Sequence, residues 1–282
     1  MIRPWRSMLY IPASKERALV KARTLPTDAI IFDLEDAVAP TEKAAARETL
    51  AAALAEGGFG ARARIVRING LNTEWGEADA RAAADMDCDA VLVPKVDSAD
   101  TLDAVSVHVG AARLWAMMET PRGVLNAAEI ARHERLDGFV MGTNDLAKDL
   151  GARGRSDRQP LMGALQTCLL AARAAGIICV DGVYNAFKDS DGLSAECEQG
   201  RDLGMDGKTL IHPAQLDVAN RVFSPNEDEI ALAERHIIAF EEATAQGAGV
   251  AVVDGQIVEN LHVEAARATL GKMRAIAAME AT

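Results

Sequence analysis

An α/β fold, a closed (β/α)8 barrel of parallel strands, follows from three features of this 282-residue sequence. Eight short, continuously apolar runs recur between Met8 and Ile211. Alanine-rich segments with helical spacing separate them. Nearly every run ends in a polar or charged residue, and barrel enzymes carry their chemistry at the C-terminal ends of the strands. Short runs without polar alternation are what strands covered on both faces look like, and their alternation with helices gives a parallel sheet. A doubly wound open sheet is the competing arrangement. It has fewer strands and a glycine-rich first turn, and neither is evident.

Met8–Ile11 is the first strand. A basic cluster follows it, Lys15, Arg17, Lys21 and Arg23, which is either a solvated helix face or a phosphate-binding arm. The second strand, Ala29–Leu34, ends in the acids Asp33, Glu35 and Asp36. These suit a helix start, where negative charge is favoured, or a shell holding metal-bound waters. Thr41 opens a helix running to Leu54. Arg64–Ile68 is the third strand and delivers Arg67 and Asn69. An arginine facing a mouth full of acids is either a structural ion pair or a fork for a substrate carboxylate. Ala90–Pro94 delivers Lys95, and Ser98 starts the next helix, Thr101–Val109.

Leu114–Met118 is the fifth strand and ends at Glu119. Val124, Leu125, Ala128 and Ile130 follow on a helical pattern, and Phe139–Met141 then leads to Asn144 and Asp145. A strand, a helix and a strand in so short a span make parallel neighbours, so Glu119 and Asp145 converge. Two carboxylates in one mouth seat a hard divalent cation. Magnesium takes one or two carboxylates and keeps positions for substrate. After the helix Leu161–Ala175, the strands Ile177–Val180 and Lys208–Ile211 are expected to bring Asp181 and His212 to the same end.

Beyond His212 the pattern changes. A long helix from Pro225 through Gln246 precedes Val250–Val258, a hairpin with a DG turn, and a last helix starts near Val263. Residues 1–222 are therefore assigned to the barrel. Residues 223–282 form a helix–hairpin–helix extension, expected to pack on the barrel or on a neighbouring subunit.

Several function classes are disfavoured. A net charge of −12 argues against nucleic-acid or anionic-membrane binding. No apolar run approaches the ~20 residues that span a bilayer, and the opening MIRPWRSMLYIPAS lacks a signal-peptide pattern. The four cysteines form no CxxC pair, and Cys168 and Cys179 read as reduced core residues, so a cytoplasmic protein is expected. GKT at Gly207–Thr209 is not a P-loop, because Asp202 stands where the first glycine is needed. The histidines have no HxxxH or HExxH spacing, which disfavours zinc, and no GxSxG elbow appears.

In order along the chain, RSMLYIPAS, IFDLEDAV, VRING, VLVPKV, METPRG, GTNDLAKDLG, VDGVYNAF and GKTLIHPAQ resemble the citrate lyase β-subunit-like group of the HpcH/HpaI aldolase superfamily. The resemblance covers essentially the whole chain. METPRGVLNAAEI, GTNDLAKDLG, VDGVYNAF and VVDGQIVENLH are most similar to the branch that hydrolyses (3S)-malyl-CoA. The resemblance implies a TIM barrel, a homotrimer or homohexamer, an acyl-CoA substrate, and Mg²⁺ with Mn²⁺ as a substitute. It implies metal ligands at Glu119 and Asp145 and a substrate-carboxylate arginine at Arg67. Substrate contacts fall on Asn144 and Asp145, where backbone amides take part, and CoA contacts on Tyr10, Lys15, Lys21, Ile211 and His212. Glu35 and Asp36 keep their reading as holders of metal-bound water.

One departure bears on the reaction. Many lyases of the group carry an acid/base aspartate in the C-terminal hairpin, contributed across a subunit boundary, and Glu259 stands at that position here. A displacement of ~1 Å costs ~100-fold where geometry is tight. The expected reaction is therefore thioester hydrolysis, with Arg67 and Glu259 as catalytic groups. Carbon–carbon cleavage of malyl- or citramalyl-CoA, a citrate lyase β subunit with an acyl-carrier partner, and a non-catalytic CoA-ligand-binding barrel are the alternatives.

Overall fold

The computed structural model describes residues 3–281. The chain begins β1 (Ser7–Pro12), α1 (Glu16–Ala22), β2 (Ala29–Asp33), α2 (Lys43–Glu56), β3 (Ala63–Arg67), α3 (Gly76–Asp85), β4 (Ala90–Val93) and α4 (Ala99–Ser106). It continues β5 (Arg113–Met118), α5 (Pro121–Leu125), α6 (Ala127–Ile130), β6 (Leu136–Met141), α7 (Thr143–Asp149) and α8 (Met162–Ala175). β7 (Ile178–Asp181), α9 (Ser190–Leu203), β8 (Gly207–Leu210) and α10 (Leu216–Phe223) follow. Each strand pairs in parallel with the next, and β8 returns to β1, closing a (β/α)8 barrel. All eight expected strands are present, with ends moved by a few residues.

Period-two alternation sorts the side chains. Met8, Ile31, Ile65, Leu92, Trp115, Met117, Val140 and Val180 belong to one buried cluster, the filling of the barrel. Leu9, Ile30, Phe32, Val66, Val91, Phe139 and Cys179 belong to the other, under the helices. The helix expected from Thr41 begins instead with a 3-10 turn, Pro40–Glu42, and α2 starts at Lys43. Lys43 is buried, and its Nζ donates to the carbonyls of Leu34 (3.0 Å) and Glu35 (2.9 Å) and to Asn69 Oδ1 (2.8 Å). That bonding fixes the acidic loop after β2 against the end of β3.

Asp181 corrects one expectation. It shares the outward parity of Cys179, so its side chain turns toward the helices and not into the barrel mouth. There it accepts two 2.8 Å hydrogen bonds from Arg158 Nη1 and one of 3.1 Å from Lys208 Nζ. Lys208, fully buried, also donates to Glu196 (2.6 Å). Burial alone would raise the Asp181 carboxyl, but Lys208 and Arg158 outweigh it and hold the group below the usual aspartate range.

Trp5–Phe223 forms one compact unit, and the residues from Ser224 on belong to another. The second contains α11 (Glu227–Ala245), β9 (Ala251–Val253), β10 (Gln256–Val258) and α12 (Asn260–Glu280). The long helix starts two residues after Pro225, because Asn226 caps it reciprocally with Glu229, at 2.8 Å each way. β9 and β10 are antiparallel. Asp254 (φ 51°) and Gly255 (φ 78°) make the turn between them, as the DG pair predicts. The last helix begins at Asn260, earlier than Val263, because Glu259 caps it. Ala251, Val253, Val258 and Val263 pack with Ile237 and Phe240 as this unit's own core.

Lys208→Met leaves the buried acids short of a partner and should cost about 3–5 kcal/mol in urea denaturation. Because the Asp181 value is lowered on folding, its stabilisation is complete above the unfolded-chain aspartate value near ~3.9 and is lost as pH falls through the native one. Urea midpoints of the wild type should therefore drop on acidification below about pH 4, and more steeply than those of Lys208→Met.

Candidate active site

A cavity of about 300 Å³ opens at the C-terminal end of the strands, and Tyr10, Arg67, Glu119, Asn144, Asp145 and Ile211 are among its lining. Six residues expected in the site thus meet in one place. Asp36 borders the same cavity.

Asp33 organises this region. Buried at the end of β2, it receives Arg67 Nε on Oδ1 (2.7 Å) and Arg67 Nη2 on Oδ2 (2.6 Å). The same two oxygens accept the backbone N–H groups of Glu35 (2.9 Å) and Ala37 (3.0 Å). The acids of this loop therefore divide: Asp33 binds the loop backbone and Arg67, and no helix starts at it, while Glu35 and Asp36 face the guanidinium. Arg67 Nη1 lies 2.8 Å from Glu35 and 3.5 Å from Asp36. The Glu35 contact is an ion pair without a hydrogen-bond alignment, and Glu35 Oε2 is left without a hydrogen-bond partner. Tyr10 stacks beneath Arg67, 4.8 Å from ring centroid to guanidinium carbon. Of the five guanidinium donors, two are spent on Asp33.

Glu119 is buried at the end of β5, and its Oε1 accepts the Lys95 N–H at 2.8 Å. Lys95 Nζ stands 3.7 Å from Asp145 Oδ2. Gly142, between β6 and α7, passes so close that a Cβ there would sit 2.3 Å from Glu119 Cβ and 2.6 Å from its Oε2. Burial pushes the Glu119 carboxyl up to about 7, against the Lys95 N–H and Arg67, with Asp145 adding to the rise. Burial likewise pushes Glu35 up to about 8, with Arg67 opposing. Carboxyls raised in this way sit where added positive charge is most favourable. Among the described residues no three or more His, Cys, Asp or Glu side chains gather as a metal site. Magnesium needs only one or two carboxylates, so the oxygen donors of Glu119 and Asp145 fit a hard divalent cation.

Other expected residues lie elsewhere. Lys15 is exposed and stands 3.7 Å from Glu42. Lys21, also exposed, is in the last turn of α1. His212 caps the turn Pro213–Gln215, accepting the Ala214 N–H (3.1 Å), and stacks on Phe187 at 4.5 Å. Glu259 belongs to the second unit, where it is exposed and its N–H donates to His262 Nδ1 (3.0 Å). Two lining residues were not singled out from the sequence, although Asn185 lies in one of the quoted motifs. Met117 lines the cavity beside Tyr10, whose hydroxyl reaches its sulfur at 3.4 Å. Asn185, in VDGVYNAF, exchanges amide hydrogen bonds with Asn144 at 2.8 and 3.2 Å.

The model of the HpcH/HpaI aldolase/citrate lyase family matches residues 6–213, the strand-and-helix part of the chain that builds this mouth. The chain belongs to that family. Among its relatives, a (3S)-malyl-CoA thioesterase of Cereibacter sphaeroides is 63% identical over 279 residues, 99% of this chain and 98% of the relative. The citrate lyase subunit beta of Escherichia coli is 35% identical, over 95% and 92% of the two chains. A crystal structure of the family protein CitE from Mycobacterium tuberculosis, in complex with magnesium, acetoacetate and coenzyme A, is similar with a TM-score of 0.82. Its identity is 30%, and the match covers 96% of this chain and 99% of that one. A citrate lyase beta subunit from M. tuberculosis with oxaloacetate and magnesium gives a TM-score of 0.70 at 31% identity, over 79% of this chain and 98% of that one.

In this family member, Gly142→Ala should drive Glu119 from its place. Turnover should fall by about 100-fold, while circular dichroism shows the barrel still folded.

Proposed function

We propose that the protein hydrolyses the thioester of (3S)-malyl-CoA to malate and free CoA, using a divalent cation held by Glu119 and Asp145. The observation that carries the reading is the convergence of Glu119, Asp145 and Arg67 on one cavity. The full-length likeness to the Cereibacter thioesterase supports the substrate and the outcome. The magnesium in the mycobacterial relatives supports the cation.

When bound, the cation supplies Lewis-acid polarisation and a fixed template for the 2-hydroxycarboxylate of the substrate. Arg67 grips that carboxylate with the donors Asp33 leaves free, and Asp33 keeps the guanidinium from turning. Asn144 and Asp145, in the first turn of α7, contribute contacts and the unpaired N–H groups of a helix start. Holding the substrate in one pose removes much of the entropy of reaction. Water then adds to the thioester carbon and gives up a proton, and the CoA thiolate leaves and is protonated. Glu259 is the assigned base for the water, on its match to the acid/base aspartate of related lyases. Tyr10, Lys15, Lys21, Ile211 and His212 are the assigned CoA contacts, and Glu35 and Asp36 are assigned to metal-bound water. Glu35 Oε2, ion-paired with Arg67 but without a hydrogen-bond partner, supports that assignment.

We place the enzyme in the cytoplasm as a homotrimer or homohexamer. Its four cysteines are free thiols, and no described helix is long and apolar enough to cross a membrane. Val252 and Ile257, directly opposed on the hairpin and more than 60% exposed, support self-association.

Incubated with (3S)-malyl-CoA and Mg²⁺, the protein should release thiol without glyoxylate. Glyoxylate with acetyl-CoA would sink hydrolysis in favour of carbon–carbon cleavage. Chelation with EDTA should stop turnover and added Mg²⁺ restore it. Glu119→Gln should lower kcat/KM by about 10²–10³. Glu259→Gln should lower kcat by at least about 100-fold with KM nearly unchanged, and an unchanged kcat removes Glu259 from the reaction.

A further inference from the structure

Lys95 touches both carboxylates of the site. Its N–H binds Glu119 Oε1 at 2.8 Å, and its ammonium stands 3.7 Å from Asp145 Oδ2. It manages both by adopting φ 50°, a left-handed conformation that side chains disfavour. Among the described residues only Arg158 and Asp254 are other non-glycine cases. Asp254 sits in a two-residue turn, and Arg158 is pinned by Asp181. Lys95 has neither cause. Residues held in such conformations cluster at functional sites.

The charges at the mouth are unequal. Asp33, Glu35, Asp36, Glu119 and Asp145 face Arg67 and Lys95. Asp33 and Glu35 engage Arg67 at close range, and Lys95 is the ion-pair partner of Asp145. Glu35, Glu119 and Asp36 also act on its ammonium through space. The Lys95 and Asp145 side chains are 59% and 39% exposed, so their contact is a loose ion pair and separates readily.

We propose that Lys95 is a displaceable counter-ion of the cation site. It neutralises Asp145 while no divalent cation is bound, is pushed aside when one enters, and thereby sets the affinity of the site. This rests on the reading that Glu119 and Asp145 hold the cation. A lysine suits the task, because a compact hydrated ammonium on a flexible stem lets go more easily than a guanidinium fork.

The test is calorimetric titration of Mg²⁺ into the full-length protein at low ionic strength, without substrate. Lys95→Met keeps the backbone N–H and removes the competing charge. It should bind Mg²⁺ about fivefold more tightly, the equivalent of ~1 kcal/mol. Lys95→Gly, which is free of backbone strain, should tighten binding equally, and Lys95→Arg should bind no more tightly than wild type. The gain should shrink as salt screens the charges. Unchanged or weaker binding by Lys95→Met overturns the proposal. Tightening by Lys95→Gly alone overturns it too, since strain and not charge would then be the cause. If the wild type binds no Mg²⁺, the cation site falls and this inference with it. If the wild type binds and Lys95→Met matches it, only the counter-ion role falls.

Discussion

Two oxygens of one buried carboxylate set the charge geometry of the barrel mouth. Asp33 gives both to Arg67 and both again to the backbone of the loop that follows it. The loop can therefore neither swing away nor present its acids in another order. Arg67, spanned by that fork and floored by Tyr10, keeps one side for other partners. Glu35 and Asp36 are drawn to it, and Glu119 and Asp145 are left across the cavity with Lys95. A structural ion pair and a ligand-binding arginine are often posed as alternatives. Here the first makes the second possible, because an unanchored guanidinium among five acids would have no fixed orientation.

The barrel was legible because most of the eight strands are short apolar runs, with helical segments between them. The meeting of Glu119 and Asp145 was legible for the same reason, since parallel neighbours must share an end. Orientation was harder to read. Asp181 follows an apolar run as Glu119 does, yet one faces the helices and the other the cavity. Parity decides this, and a one-residue error in counting a strand reverses it. Asp33 could not be told from Glu35 and Asp36 within DLED, because a loop-binding acid and a cavity-facing acid are the same residue type. The left-handed turn at Lys95 leaves no trace in composition or spacing.

The extension followed a simpler logic. A DG pair between short apolar runs dictates a two-residue turn, whereas the helix expected from Pro225 starts at Glu227, where Asn226 and Glu229 cap each other. What sequence spacing could not supply was a three-dimensional position for Glu259, because that residue caps a helix in a unit separate from the barrel. Its assignment comes from family likeness and not from geometry.

The wall of charges between β7, β8 and α9 has a thermal consequence. Arg158, Asp181, Glu196 and Lys208 are taken out of water together, and near room temperature their lost hydration offsets much of their mutual attraction. Hydration of ions weakens on heating, so that penalty shrinks while the attraction persists. The four charges therefore weigh most against unfolding in the range where apolar packing has ceased to improve.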